Sequence, residues 1–149
     1  MQLTNFVKAM RLKPDGTNYT AAAGSSDATS EFLDTAGYDG VRFLVGFGAI
    51  TTGAVTGIRV QQATASGGSY ADLEGTAIVV ADDDDNLVAS IEIVSPRERY
   101  LKVVTDRATQ NAVVDFLVAE LYRASKQPVT QDATIISAEI HASPAEGTA

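Results

Sequence analysis

Residues 55–106, VTGIRVQQATASGGSYADLEGTAIVVADDDDNLVASIEIVSPRERYLKVVTD, repeat one plan: a short β-branched strand, a small polar turn, then the next strand. Ile58 and Val60 alternate with Gly57, Arg59 and Gln61, while Leu101 and Val103 share one face opposite Lys102. A pleat has a period of two residues, so each run has one apolar side. The stretch predicts a β-meander with one face buried and one wet. No catalytic constellation interrupts it.

The runs inside the meander are Val55–Gln62, a Gly/Ser-rich loop over Ala63–Ser69, Tyr70–Glu74, the apolar Thr76–Ala81, an acidic turn, Leu87–Val94 and Tyr100–Thr105. In Leu87–Val94 the set Leu87, Ala89, Ile91 and Ile93 is read as inward. Pro96 closes that strand, because proline cannot donate to a ladder. Upstream, Val41–Ile50 carries Phe43, Val45 and Phe47 on one face and Arg42, Leu44 and Gly46 on the other, which predicts a strand that is central or covered on both sides. Glu31-Phe32-Leu33 is a short strand, and Thr17–Ser30 is a loop or extended segment of small residues. Phe6–Leu12 reads as a first strand or a short amphipathic arm, ended by the turn Pro14-Asp15-Gly16.

Downstream, the Val and Phe density of Ala112–Arg123 favours strand over helix, with Val114, Phe116 and Val118 set against Val113, Leu117 and Leu121. Pro128 breaks the chain, and Ala133–His141 is read as a last short strand, with Ile136 and Ala138 opposing Ile135 and Ser137. The sum is an all-β chain: an antiparallel β-sandwich or jelly roll of about seven to nine short strands. Residues 1–30 are expected to form an extended N-terminal arm and loop, 31–142 the sandwich, and 143–149 a flexible tail. Regularly interleaved helices are missing, which excludes parallel α/β architectures.

Eleven Lys and Arg against nineteen Asp and Glu give a net charge of −8, and the pI is near 4.4. That field repels phosphate backbones and anionic bilayers, so neither nucleic acid nor membrane is an expected partner. The absence of cysteine removes disulfides, thiol catalysis and the common structural zinc sites. MQLTNFVKAMRLKP lacks the apolar core of a secretion signal, and no run reaches the ~18–20 apolar residues of a membrane span, so a soluble protein is expected.

Several residues invite a chemical reading. Asp82, Asp83, Asp84 and Asp85 offer oxygens of the kind that hard cations take, but the run lacks the central Gly and terminal Glu of a Ca²⁺ loop and reads as a solvated hairpin tip. Asp72 and Glu74 would share a strand face, yet nothing marks a cleft around them. His141 is the only histidine. Gly46-Phe47-Gly48 is followed by no Lys-Ser/Thr, so these glycines are read as a bulge or a close approach at a strand end rather than a phosphate loop. Arg97, Arg99 and Arg107 with Lys102 form the basic cluster, able to dock an acidic partner or to pair with Glu92, Glu98 and Asp106. No catalytic residue, cofactor or enzymatic activity is expected.

VTGIRVQQATASGGSYADLEGT, LVASIEIVSPRERYLKVVTDR and the terminal HASPAEGTA resemble small β-sandwich proteins of tailed-bacteriophage virions, of the head decoration or cement type. The likeness covers Gly53–Arg107 and the last nine residues. It implies a non-enzymatic protein, soluble in the host cytoplasm before assembly, that binds the major capsid protein on the virion surface as a homo-oligomer, commonly a trimer. Phe6, Val7, Met10 and Leu12 would then lie on a docking arm that is dispensable for folding, and Arg97, Arg99 and Arg107 on the capsid or oligomer interface. The alternative is a phage tail or baseplate protein, or a glycan-binding adhesin module, with the loops Ala63–Ser69 and Asp82–Asn86 at its ligand edge and Tyr38, Tyr70 and Tyr100 as stacking platforms.

Overall fold

The computed structural model describes residues 2–143 and 145–148. Ten strands follow a single helical turn, α1 (Leu3–Phe6): β1 (Val7–Leu12), β2 (Ala28–Thr29), β3 (Leu33–Asp34), β4 (Gly40–Ile50), β5 (Val55–Ala63), β6 (Ala71–Asp72), β7 (Ile78–Val80), β8 (Val88–Val94), β9 (Tyr100–Ala108) and β10 (Ala112–Tyr122). They form two antiparallel sheets packed as a β-sandwich. One sheet has the order β1-β10-β4-β8; the other is built on β2-β9-β5-β6, with β3 also on β9 and β7 also on β5.

The alternation seen in the sequence is the core. Phe43, Val45 and Phe47 from β4, Ile58 and Val60 from β5, and Leu101 and Val103 from β9 are each at most 3% exposed. Burying such side chains contributes about 1.5–3 kcal/mol each relative to leaving them in water. β4 is central, between β10 and β8. Ala89, Ile91 and Ile93 of β8 face the core and are partly buried; Leu87 of the expected inward set is instead 55% exposed, because β8 begins after it.

β10 is a strand over its whole length, but its expected faces are redistributed. Ala112 and Val114 are buried, and then Leu117, Ala119 and Leu121. The register moves two residues along β10 and one along β4 between the pairs Val114↔Phe47 and Phe116↔Gly46, so an extra residue, Asp115, bulges out and inverts the parity. Phe116 and Val118 therefore leave the face of Val114. Between Ala112↔Ile50 and Val114↔Phe47 the extra residue is on β4, which moves the buried position from Phe47 to Ile50. Gly46 lies under the ring of Phe116 and Gly48 against Asp115, where a Cβ would collide. These glycines serve both the bulge and the close approach.

Of residues 1–30, Met1 lies outside the described residues, and Val7–Leu12 are a strand of the sandwich instead of an extended arm. β1 pairs with β10 from Val7↔Tyr122 to Leu12↔Leu117, Leu12 is 1% exposed, and Met10 packs against the core. Ala22 bridges Val114 further along the same strand. The last strand expected over Ala133–His141 is absent: the segment is irregular, and Ile136 stands fully exposed. Residues 129–134, before and at the start of it, cover the outer edge of β1 mostly with side chains instead of a ladder. Gln131 donates to the carbonyls of Thr4 and Val7 and accepts from Ala9 N–H, Thr134 Oγ1 accepts from Arg11 N–H, and Val129 N–H donates to Asn5 O. Of the residues expected in a tail, Pro144 and Ala149 lie outside the described residues; the others have no regular structure.

Leu12→Ala tests the place of β1. A buried leucine truncation costs about 2–5 kcal/mol, so the urea midpoint should fall clearly, and removal of residues 1–13 should abolish cooperative unfolding. An unchanged midpoint for either variant would return the segment to a dispensable arm.

Candidate functional site

The sequence-predicted basic residues lie on different sides of the molecule, Arg97 and Arg99 in the connection before β9 and Lys102 and Arg107 on it. Leu101, Val103, Thr105 and Arg107 alternate on its inner face, so Arg107 points into one end of the sandwich and is 8% exposed. There its Nε donates to Ser26 O at 2.7 Å and its Nη1 to Ala22 O at 2.8 Å and Ala112 O at 2.9 Å, while its backbone N–H donates to Asp27 Oδ1. Burial lowers its proton affinity below the ordinary arginine value. This residue is a structural clasp and not part of a docking surface. Arg99 is exposed and forms a two-pronged pair with Asp34, at 2.8 and 2.7 Å. Arg97 is exposed beyond the end of β8. The pairing expected with Glu92, Glu98 and Asp106 is not what these arginines make, and Asp106 pairs instead with Arg59.

The acidic run is likewise spent on backbone. Asp82 accepts from Gly53 N–H at 2.7 Å, Asp84 from Ala81 N–H at 2.8 Å, and Asp85 from Ile50 N–H. Three of the four carboxylates thus fasten the 81–86 turn to itself and to the β4–β5 turn, and do not converge on a common point. Among the described residues no three of His, Cys, Asp and Glu are grouped to hold a metal ion. Asp72 and Glu74 are not a carboxylate pair: Asp72 lies on β6, and Glu74 lies past its end. His141 meets Glu139 at 2.9 Å on the surface. Phe6 and Val7, with Tyr122, Ala124 and the Asp39–Arg123 pair, line a largely apolar cleft of about 570 Å³.

The most organised polar and aromatic surface is the outer face of the six-stranded sheet. Register puts Asp34 opposite Tyr100, and Gln61 opposite both Lys102 and Asp72. Asp72 accepts from Arg59 Nε at 2.9 Å and Gln61 Nε2 at 2.8 Å. Phe32, 45% exposed, meets Tyr100 edge-on at 5.6 Å, and Arg99 lies 5.2 Å from the Tyr100 ring. Lys102 Nζ lies 4.3 Å from the Tyr70 ring. Tyr38, the third expected platform, packs against the core instead. Phe32 was missed from the sequence because its partner is 68 residues away on β9; its exposure beside the buried Leu33 follows only once the short strand is placed.

Four carboxyls are held below their ordinary value: Asp34 by the Arg99 hydrogen bond, Asp72 by Gln61 and then Arg59, Asp15 by the backbone N–H groups of Asn18 and Thr17, and Glu139 by His141 and then Ser137. A carboxyl whose folded value is depressed gives stability above its unfolded value and loses it as pH falls through the folded one.

No family model and no curated protein matches the chain. Solved structures do. The CBM22-1–GH10 modules of endo-1,4-β-D-xylanase 10B from Clostridium thermocellum, complexed with xylohexaose, align with a TM-score of 0.50 at 16% identity over 93% of this chain and 27% of that one. A family 115 4-O-methyl-α-glucuronidase with specificity for decorated arabinogalactans aligns at 0.45 and 11% identity, over 75% of this chain and 16% of that chain. Dimeric latent PorU from Porphyromonas gingivalis aligns at 0.43 and 10% identity, over 83% of this chain and 13% of that one. The chain thus spans about a quarter or less of these proteins. The first likeness is to the β-sandwich fold, and the other two fall below it.

Arg107→Met removes a cation bonded to three carbonyls, and hydrogen bonds to charged groups contribute about 1.5–3 kcal/mol each; equilibrium unfolding should show a loss of at least about 3 kcal/mol. A smaller loss would show that water replaces the clasp. In a melting series, the midpoint should hold from pH 7 to about pH 5 and fall below about pH 4 as these carboxyls protonate; Asp34→Asn should flatten part of that acid slope.

Proposed function

We propose that this chain is a non-catalytic binding module and that the outer face of the six-stranded sheet is its ligand surface, for a saccharide. The observation that carries this reading is the row Phe32, Tyr100, Tyr70, Lys102, Gln61 and Asp72, in which strand register sets Tyr100, Lys102, Gln61 and Asp72, and Phe32 and Tyr70 stand immediately before β3 and β6. Sugars offer an apolar C–H face and a rim of hydroxyls. Aromatic rings match the first, and planar amide, carboxylate and guanidinium groups match the second. The cation beside Tyr70 is no obstacle, because an exposed cation–π contact is worth about 0.5–1 kcal/mol and a stacking ligand displaces it at small cost. Likeness in fold to a xylanase module solved with xylohexaose is consistent with this use of a sandwich. The loop Asp82–Asn86 is not required, since its carboxylates are committed to backbone bonds, whereas the loop Ala63–Ser69 holds Tyr70 through the bond from the Tyr70 hydroxyl to Ser66 O.

The second reading is a virion decoration or cement protein that binds a major capsid protein as a trimer. The residue-level resemblance of Gly53–Arg107 favours it. Under that reading the apolar cleft beside Phe6, Val7 and Tyr122 is the docking surface in place of a mobile arm.

One experiment separates the two. Titration with a panel of soluble oligosaccharides, starting with xylo-oligosaccharides, should give saturable binding that weakens at least tenfold in Tyr100→Ala and Phe32→Ala, about 1.4 kcal/mol, with the melting midpoint little changed. Absence of binding across the panel, together with saturable co-sedimentation on capsids lacking the protein, would overturn the glycan reading in favour of the capsid one.

A further inference from the structure

The sandwich has four sheet edges, and three of them are closed to pairing by different means. β1 is covered by Gln131 and Thr134. β2 and β3 on one side of the six-stranded sheet, and β6 and β7 on the other, are strands of two or three residues. Short, interrupted or covered edges are the usual defence against unwanted strand addition. β8 has none of these: it is seven residues long, VASIEIV, and ends its sheet.

Its free hydrogen-bonding groups can be assigned. Phe47 N–H donates to Leu87 O, and Ser95 N–H to Asp39 O. Antiparallel pairing alternates, so Leu87, Ala89, Ile91, Ile93 and Ser95 bond inward to β4, and the N–H and C=O groups of Val88, Ser90, Glu92 and Val94 point away from the sheet. The side chains of these last four are exposed, Val88 at 54% and Val94 at 66%.

We propose that β8 pairs antiparallel with β8 of a second copy of this chain across a two-fold axis at Ile91. Outward groups must meet outward groups, which restricts the register to shifts of two. Centring on Ser90 leaves Val94 without an apolar partner, and centring on Glu92 sets carboxylate against carboxylate. Centring on Ile91 sets Val88 opposite the second Val94, Ser90 opposite the second Glu92, Ala89 opposite the second Ile93, and Ile91 opposite itself. Apolar meets apolar, and the carboxylate meets a hydroxyl. An isologous contact demands such self-complementarity, and the segment supplies it in this register. The cleft formed by Phe47, Ile78, Val80 and Leu87 lies at one end of β8, where the second copy's Val94 end would cover it. This inference is independent of the saccharide reading, since β8 belongs to the other sheet.

The test uses the cysteine-free chain. Opposed residues in a non-hydrogen-bonded pair have Cα atoms about 4.5 Å apart, within disulfide reach. Ile91→Cys should therefore cross-link to a covalent dimer on mild oxidation, whereas Ser90→Cys, offset from its own copy, should not cross-link. By analytical ultracentrifugation, the wild-type chain should reach twice the 15.6 kDa monomer mass. The double variant Val88→Lys, Val94→Lys sets lysine against lysine and should halve that mass with the melting midpoint retained. A wild-type monomer at about 1 mM, a trimer, a dimer unmoved by the lysines, or cross-linking at position 90 and not 91 would each overturn the proposal.

Discussion

The end of the sandwich depends on one guanidinium. Arg107 stands on the inner face of β9, in one sheet, and its donors reach Ala112 at the start of β10, in the other, and Ala22 and Ser26 in the segment that closes the end. The β9–β10 connection and the distant segment around residues 22–26 are thereby fixed by a single planar group. The peptide carbonyls there need donors, because burial has taken them away from water. Arginine suits the position: its fork spreads several donors in fixed directions, and it keeps its charge when burial lowers its proton affinity. Gly24 passes alongside the guanidinium with 3.1 Å between its would-be Cβ and Nη2, so the closing segment has little room to carry a side chain there.

A second constraint acts along the β4–β10 pair, where opposing bulges invert which residues face the core. Without them, Phe47 and Ile50, or Val114 and Leu117, could not all be buried in continuous strands. The glycines at 46 and 48 make room for Phe116 and Asp115 on the far side. The same local event therefore shapes both surfaces of the sheet, filling the core on one side and seating an aromatic ring against the backbone on the other.

The meander and the central strand were legible because their signal is local: a period of two, interrupted by turn residues, survives into the structure for β4, β5, β8 and β9. The faces of β10 were not, since a bulge is a relation between two strands and leaves no mark in one of them except the neighbouring glycines. The terminal segments failed for a similar reason. Small polar residues around Gln131 and Thr134 look like coil or weak strand, and only β1 beside them turns their side chains into edge partners. Arg107 is instructive in a different way. Charge suggested a surface, but the parity of Leu101, Val103 and Thr105 already pointed it inward, and following the period one step further would have found it. The aromatic outer face of the six-stranded sheet was half visible in Tyr70 and Tyr100; its completion by Phe32 and Asp34 required the β3–β9 register.

The side-chain cover on β1 has a consequence for growth. It consists of a few hydrogen bonds from residues 129–134. While it stays in place, the four-stranded sheet offers one free edge, and a two-fold contact there uses it up. Lifting it would expose a second edge on the opposite side of the same sheet. An object with two such ends no longer terminates on meeting a copy of itself; it polymerises. Under the two-fold pairing proposed for β8, the short segment after Pro128 is what keeps association at a finite particle instead of a fibre.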